Sequence, residues 1–256
     1  MKHTRRLATR AFRAETGEFL AEGPQAVREA LAEPGATVEV FATAAGTAQH
    51  TDLAGAAAES DVLWHVVTDD VVESIADTVQ PQGVVARCRI PGASLDSLLA
   101  SSPTFLVVCA DIRDPGNAGA VIRCADAAGA QGVVFVGDSV DPYNPKSVRA
   151  TVGSVFHLPV VVERDTPATL SRLQNLGLQV LAADGGGETG LFDDDLDLSL
   201  PTAWLMGNEA WGLPADTRAL ADRVVSVPIY GRAESLNLAT AAAVCLYSSA
   251  RARLTG

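Results

Sequence analysis

The sequence predicts an α/β protein made of two domains. Its second half contains six short apolar runs rich in β-branched residues, separated mostly by helical stretches. Near-continuous apolar strands of this kind are typical of a parallel sheet covered on both faces. The first part alternates strands and helices on a smaller scale. Between them, PGASLDSLLASSP is rich in Ser, Pro and Gly. We therefore place the boundary at residues 91–103 and predict domains at 1–97 and 98–256.

The first domain is predicted to be a small α/β unit. A strand at EFLAE is followed by Gly-Pro and by an amphipathic helix with Val27, Ala30 and Leu31 on its apolar face. The later segments VEVFAT and LWHVVT are predicted as strands. DDVVESIADTV is predicted as a helix that begins at an Asp cap.

The six apolar runs of the second half define the predicted parallel sheet. In chain order they are FLVVCA, GVVFVG, PVVVE, LQVLAAD, AWLMG and RVVSVP. The terminal segment LNLATAAAVCLYSSARARL has helical periodicity and is rich in Ala, which allows close approach to a neighbouring backbone. Ligands bind such sheets at the carboxyl ends of the strands, so we expect the chemistry in the loops there.

Composition excludes several classes of protein. The 256 residues are 48% hydrophobic, enough for a substantial core. There is no apolar run of 18 residues, and the basic start lacks the apolar part of a signal peptide, so we predict a cytoplasmic protein with no membrane partner. The four cysteines form no CxxC pair and the four histidines lack metal-ligand spacing, which predicts free buried thiols and no metal.

The charge is unevenly distributed along the chain. A net charge of −12 on its own argues against a nucleic-acid partner. However, residues 1–13 contain five cations and no acid: Lys2, Arg5, Arg6, Arg10 and Arg13. This basic arm is either a disordered, solvated terminus or a segment that contacts phosphates.

Three polar loops follow strands of the second half, and each has a structural explanation when taken alone. In DIRDPGNAGAVIRCADAAG, a helix beginning near Asn117 would point Arg123 away from its apolar face, into solvent. In GNEAWGL, Asn208 and Glu209 could cap and charge-complement the helix that LPADTRAL begins. In YGRAESLN, Ser235 is a natural helix N-cap.

A fourth loop, DGGGETG, has the G-x-G-x-x-G spacing of dinucleotide-binding proteins. That fingerprint also needs a helix to open at the loop, and LFDDDLDL follows instead. Its aspartates would repel a pyrophosphate. We therefore reject a dinucleotide-binding function for this loop, and we interpret Asp193, Asp194 and Asp195 as a solvated loop rather than a metal site.

Together the three loops resemble the motifs of the SpoU/TrmH family of RNA 2′-O-ribose methyltransferases, in the SPOUT superfamily. The matching positions are Asn117 with Arg123, Gly207–Leu213, and Ser235–Asn237. FLAEGPQAVREAL and DTVQPQGVVA resemble the family's small ribosomal-protein-like substrate-binding domain. The resemblance thus covers nearly the whole chain. It implies an α/β-knot fold for the second domain, a homodimer, and an RNA partner, with ribosomal RNA favoured.

The resemblance also implies S-adenosylmethionine as cofactor. The implied cofactor-binding residues are Leu205, Met206, Gly207, Val227, Ile229 and Leu236. Apolar residues suit an adenine ring, and Gly207 lets the chain approach closely. Val227 departs slightly from the family, in which isoleucine is common there. The implied catalytic residues are Arg123, Asn117, Glu209, Ser235 and Asn237.

The implied reaction is an in-line attack of a ribose 2′-hydroxyl on the sulfonium methyl group, which needs no metal because the leaving group is already cationic. Arg123 is the implied main catalytic residue. A guanidinium is effectively always protonated and is a poor base, which favours phosphate positioning and alkoxide stabilisation as its role. A transfer-RNA enzyme and a catalytically silent RNA-binding relative are the alternatives.

Overall fold

The computed structural model describes residues 2–208 and 210–255. The chain divides into two compact units: one holds the residues through Gly92 together with Asp141–His157, the other Ala93–Val140 together with the residues from Leu158 onward. The first division lies inside the boundary region predicted at 91–103. The return of Asp141–His157 to the first unit has no signal in the sequence. The predicted domain limits of 1–97 and 98–256 take no account of it.

The first unit is built on a four-stranded sheet with the order β1-β4-β2-β3. Its strands are β1 (Glu18–Glu22), β2 (Thr37–Thr43), β3 (Leu63–Val67) and β4 (Val84–Arg89). β4 pairs antiparallel with β1 and β2, whereas β2 and β3 run parallel. The three strands predicted for this unit, β1 to β3, are confirmed, and β4 is a further strand that the sequence analysis does not predict.

The helices of the first unit are mostly short. They are α1 (Lys2–Arg6), α2 (Arg10–Thr16), α3 (Pro24–Ala32), α4 (Ala44–Gln49), α5 (Thr51–Glu59), α6 (Asp69–Glu73) and, from the returning segment, α9 (Pro145–Thr151). α3 buries Val27, Ala30 and Leu31 as predicted. The prediction for α6 is wrong in two respects: its N-cap residue is Thr68, and the helix stops early. Beyond it, the Asp77 N–H donates to the Glu22 carboxylate (2.6 Å) instead of to a helical carbonyl.

The basic N-terminal arm is folded rather than disordered. Leu7 and Phe12, from the α1–α2 region, are buried in one hydrophobic cluster with Leu20 and Phe41 of the sheet. Arg13 of α2 is only 2% exposed. Its Nε and Nη2 donate to Oδ2 of Asp141 at 2.9 and 2.6 Å. The arm is therefore part of the first unit's core, and Arg13 holds the returning segment.

The second unit contains a parallel seven-stranded sheet in the order β7-β6-β5-β10-β8-β11-β9. Its strands are β5 (Phe105–Ala110), β6 (Val133–Val136), β7 (Val160–Val162), β8 (Gln179–Ala183), β9 (Thr189–Gly190), β10 (Thr202–Met206) and β11 (Arg223–Ser226). All six predicted strands are confirmed. The two-residue β9 has too little sequence to carry a periodic signal.

The helices of the second unit are α7 (Leu95–Ala100), α8 (Pro115–Ala127), α10 (Thr166–Asn175), α11 (Ala215–Arg218) and α12 (Leu238–Thr255). Of these, α8, α10 and α12 lie against strands of the sheet. The predicted terminal helix is α12, which packs on α8 and β10. The buried Trp204 of β10 donates from Nε1 to Oγ of Ser249 in α12 (2.9 Å). Within the described ranges, no helix combines the length and apolar character needed to span a bilayer. All four cysteines are free thiols; three are buried and Cys124 is half-buried.

Candidate active site

The three motif loops leave the same edge of the parallel sheet. They follow β5, β10 and β11, and β8 lies between the last two strands. The loop after β8 touches both neighbours: a Cβ on Gly187 would lie 2.8 Å from the Ser226 nitrogen, and one on Gly212 would lie 3.3 Å from Oδ2 of Asp184. This edge is where parallel sheets bind ligands.

The helix of the first motif begins with an aspartate cap. Oδ1 of Asp114 accepts from the Asn117 N–H (2.8 Å), and Pro115 occupies the first turn. The helix therefore starts before Asn117. The turn ahead of it is fixed by Asp111, which has a φ of 53° and accepts from the Asp138 N–H at 2.8 Å.

Asn208 ties the second loop to the first. Its side chain is buried, and Nδ2 donates to the Asp111 carbonyl oxygen (2.7 Å). Its Oδ1 accepts from the Ala210 N–H (2.8 Å), inside a narrow turn closed by the Asn208–Gly212 bridge. The alternative that Asn208 caps the next helix is wrong, because α11 has Pro214 at its N-cap. Glu209, the other half of that alternative and a predicted catalytic residue, lies outside the described residues.

Gly207 permits a close approach of the chain to itself. A Cβ at this position would lie 2.6 Å from the carbonyl carbon of Gly212 and 2.8 Å from Cγ of Leu213. Leu205 and Met206, which precede it, are 0% and 1% exposed in the sheet core. The remaining predicted cofactor residues are more accessible: Val227 is half-buried, and Ile229 and Leu236 are 38% and 36% exposed.

Asn237 joins the third motif to the first. Its Nδ2 donates to Oδ1 of Asn117 (3.0 Å). Its own Oδ1 accepts from the N–H groups of Ala239 (2.9 Å) and Thr240 (3.4 Å), so Asn237 caps α12. The alternative of a Ser235 cap is wrong, because the helix begins at Leu238. Ser235 is exposed, two residues before the cap.

Arg123 is exposed on α8, about 9 Å along the helix from Asn117. It makes no hydrogen bond or ion pair with another residue in the described part of the chain. Burial raises the pKa of the neighbouring Cys124 thiol, and the Arg123 charge opposes that rise. Within the described residues, the structure thus brings Asn117 and Asn237 together, and neither Arg123 nor Ser235 is hydrogen-bonded to this pair.

The glycine-rich loop after β8 leads into β9, which pairs with β11, and no helix opens there. The loop therefore lacks the helix that the dinucleotide-binding fingerprint needs, as the sequence predicts. Asp193, Asp194 and Asp195 are all exposed, and Asp195 pairs with Arg223 (2.7 Å). The prediction that these three aspartates are exposed to solvent is therefore confirmed.

Two family models match this chain: the SpoU rRNA Methylase family over residues 104–247 and the MRM3-like substrate binding domain over residues 1–86. The chain is 34% identical to the 23S rRNA (guanosine(2553)-2′-O)-methyltransferase RlmP of Bacillus subtilis, with 96% of this chain and 94% of the relative covered. The chain belongs to the SpoU rRNA methylase family.

Solved structures of the family match this chain over nearly its whole length. An AdoMet-bound rRNA methyltransferase from Sinorhizobium meliloti is 33% identical with a TM-score of 0.84, covering 98% of this chain and 93% of its own. The SpoU methyltransferase AviRb from Streptomyces viridochromogenes, in complex with AdoMet, is 31% identical with a TM-score of 0.86, covering 100% and 98%. The predicted α/β-knot fold class, the S-adenosylmethionine cofactor and the RNA ribose 2′-O-methyltransferase activity are confirmed.

Proposed function

We propose that this enzyme methylates a ribose 2′-hydroxyl of 23S rRNA in the cytoplasm and acts as a homodimer. The RlmP relative, covered over 94% of its length, is named for a guanosine of 23S rRNA. A Streptomyces viridochromogenes relative, 37% identical over 69% of this chain, is named for a uridine of the same RNA. The two relatives share the RNA and differ in the base, so our proposal names the RNA and leaves the nucleotide open.

The edge of the sheet that carries the three motif loops fits S-adenosylmethionine, which supplies an electrophilic methyl group when bound. Ile229 and Leu236 leave apolar surface uncovered within a polar loop, as an adenine slot requires. Val227 is half-buried beside them in sequence. Leu205, Met206 and Gly207 are buried at the end of β10, so we assign them a supporting role from within the core.

We assign Arg123 to the RNA rather than to the cofactor. Its guanidinium forms no ion pair within the described part of the chain, so it can bind a phosphate beside the target ribose in a charge-assisted hydrogen bond. It keeps its proton and therefore cannot accept the one that the 2′-hydroxyl loses. Its contribution is to align the nucleotide and to stabilise the negative charge that develops on the 2′-oxygen.

The hydrogen bond between Asn237 and Asn117 carries this proposal, because it joins the first and third motifs at the sheet edge. We propose that this amide pair fixes the loop around the methyl donor. The exposed Ser235 hydroxyl, two residues away, is assigned to the ribose or the methionine moiety. Glu209 is assigned the same class of role on the family resemblance alone.

Arg123→Ala tests the assignment. We expect kcat/KM for transfer of the tritiated methyl group from S-adenosylmethionine to 23S rRNA transcript to fall about 100-fold or more. Removing one hydrogen-bond donor to a developing oxyanion has effects of that size. The cofactor Kd from calorimetry should stay unchanged. Arg172→Ala is the matched control, because Arg172 is an exposed arginine of α10 that pairs with Asp96. If Arg123→Ala were as active as wild type, the role proposed for Arg123 would be refuted. If the wild-type enzyme methylated tRNA instead of 23S rRNA, the proposed RNA substrate would be refuted.

The homodimer is supported by the surface of α12. This helix leaves Tyr247 and Leu254 54% and 88% exposed, and a second copy would cover them. We expect light scattering at micromolar concentration to give twice the chain mass of 26.5 kDa. A monomer mass would contradict the proposal.

A further inference from the structure

Two aromatic side chains in the motif loops, at the edge of the sheet where the candidate active site lies, are strongly exposed. Tyr230 is 87% exposed and Trp211 is 59% exposed. By contrast, Trp204 and Tyr143 are 0% and 4% exposed. Neither Tyr230 nor Trp211 makes a hydrogen bond or ring contact with another residue of the described chain. Large aromatic surface left in water is unfavourable, so two such residues at one edge indicate a binding surface.

Both side chains belong to loops that the active site holds in place. Tyr230 directly follows Ile229, and its loop ends at Asn237, which is hydrogen-bonded to Asn117. Trp211 lies in the narrow turn closed by the Asn208–Gly212 bridge. These aromatic residues are therefore presented by the same loops that contain the motif residues.

The composition of these loops favours a nucleobase as the occupant. The exposed Arg232 lies two residues from Tyr230, and aromatic rings with neighbouring arginines are the groups on which unpaired RNA bases stack. Where a target nucleotide leaves the RNA stack to enter an enzyme site, an aromatic face compensates for the lost stacking.

We propose that the Tyr230 ring stacks on an unpaired base at the target site of the RNA, and that Trp211 contributes a second aromatic face to the same site. This inference rests on the proposed function, since it needs an RNA substrate. It makes Tyr230 a positioning residue for the nucleotide. It assigns Tyr230 no part in binding the methyl donor.

The test compares Tyr230→Leu with Tyr230→Phe. Leu keeps apolar bulk and loses the aromatic face, whereas Phe keeps the face and loses only the hydroxyl. With full-length, unmodified 23S rRNA transcript as the probe, we expect Tyr230→Leu to raise KM for RNA about 5- to 150-fold, the range that corresponds to the loss of one base–aromatic stack. Tyr230→Phe should stay within about twofold of wild type. Trp211→Leu should act in the same direction as Tyr230→Leu.

Controls separate stacking from other causes. The cofactor Kd and the thermal midpoint should be unchanged in Tyr230→Leu, since the side chain is exposed. Leu176→Ser removes an exposed apolar side chain just before β8, at the opposite edge, and should leave KM unchanged. A rise in cofactor Kd would overturn the proposal in favour of stacking on adenine, and loss of the dimer would overturn it in favour of a second copy. An unchanged KM in an active Tyr230→Leu enzyme refutes this inference alone, whereas a wild type inactive on RNA refutes the proposed function.

Discussion

Asn237 makes two kinds of hydrogen bond, and they can be separated by substitution. Its Oδ1 caps α12, and its Nδ2 reaches Asn117. Serine is a good N-cap but is too short to reach Asn117, whereas alanine does neither. We expect Asn237→Ala to lower the free energy of unfolding by about 1 kcal/mol and Asn237→Ser to change it little.

The rate of methyl transfer should fall about 3- to 10-fold in both Asn237 variants, because the net free energy of one hydrogen bond corresponds to a change of that size. Asn117→Ala should reduce the rate without affecting the α12 cap, and combining it with Asn237→Ser should add little further loss. Urea unfolding and tritium transfer measure the two effects separately. If Asn117→Ala and Asn237→Ser are both as active as wild type, the amide pair does not hold the site.

At the level of elements, six of the seven strands of the second unit's sheet could be predicted from sequence, whereas the starts of α8 and α12 could not. Strands buried on both faces leave continuous apolar runs, such as FLVVCA, that need no tertiary information. Helix starts are different, because several capping residues stand side by side. Asp114 caps α8 ahead of Asn117, and Asn237 caps α12 after Ser235. Which of these neighbouring residues caps the helix depends on the tertiary structure around it.

The returning segment Asp141–His157 could not be predicted, because its main polar anchor is a pair of residues 128 positions apart. Arg13 and Asp141 form this pair, and Asp141 also accepts from the Tyr143 N–H at 2.9 Å. A second long-range fit lies at Gly153, where a Cβ would come within 2.3 Å of Cγ of Glu29. No local pattern of sequence reports either contact.

The Arg13–Asp141 pair is predicted to be a major stabilising contact of the first unit. Removing one partner of a buried ion pair leaves the other charge uncompensated, so Arg13→Met should destabilise the unit by about 3 kcal/mol or more. Hydrogen exchange should accelerate in α2 and in Asp141–His157. Arg28→Met is the matched control: Arg28 pairs with Asp52 at 2.6 Å on the exposed surface, where such a pair contributes about 1 kcal/mol or less. Equal effects of the two substitutions would contradict the prediction.

At the scale of the whole molecule, an enzyme with a net charge of −12 must hold RNA through local cations. The folded arm changes which cations those can be. Arg13 is buried against Asp141, so four of the five remain: Lys2, Arg5, Arg6 and Arg10, all exposed on α1 and α2. Deleting the arm would also remove Leu7 and Phe12 from the core, so neutralisation is a better test than truncation.

Changing Lys2, Arg5, Arg6 and Arg10 to glutamine should weaken RNA binding and flatten its salt dependence. Each phosphate contact contributes about 0.7 to 0.9 to the slope of log affinity against log salt, so four contacts would reduce the slope by up to about 3.6. The control is glutamine at the exposed arginines 28, 89, 164 and 172, which changes the net charge equally. Arg28 and Arg172 pair closely with Asp52 and Asp96, whereas Arg6 of the arm pairs with Glu15 only at 3.9 Å, so we expect a smaller change in slope for the control. Cofactor affinity should be unchanged in both variants. Equal slopes for wild type and the arm variant would mean that the arm stabilises the first unit without touching RNA.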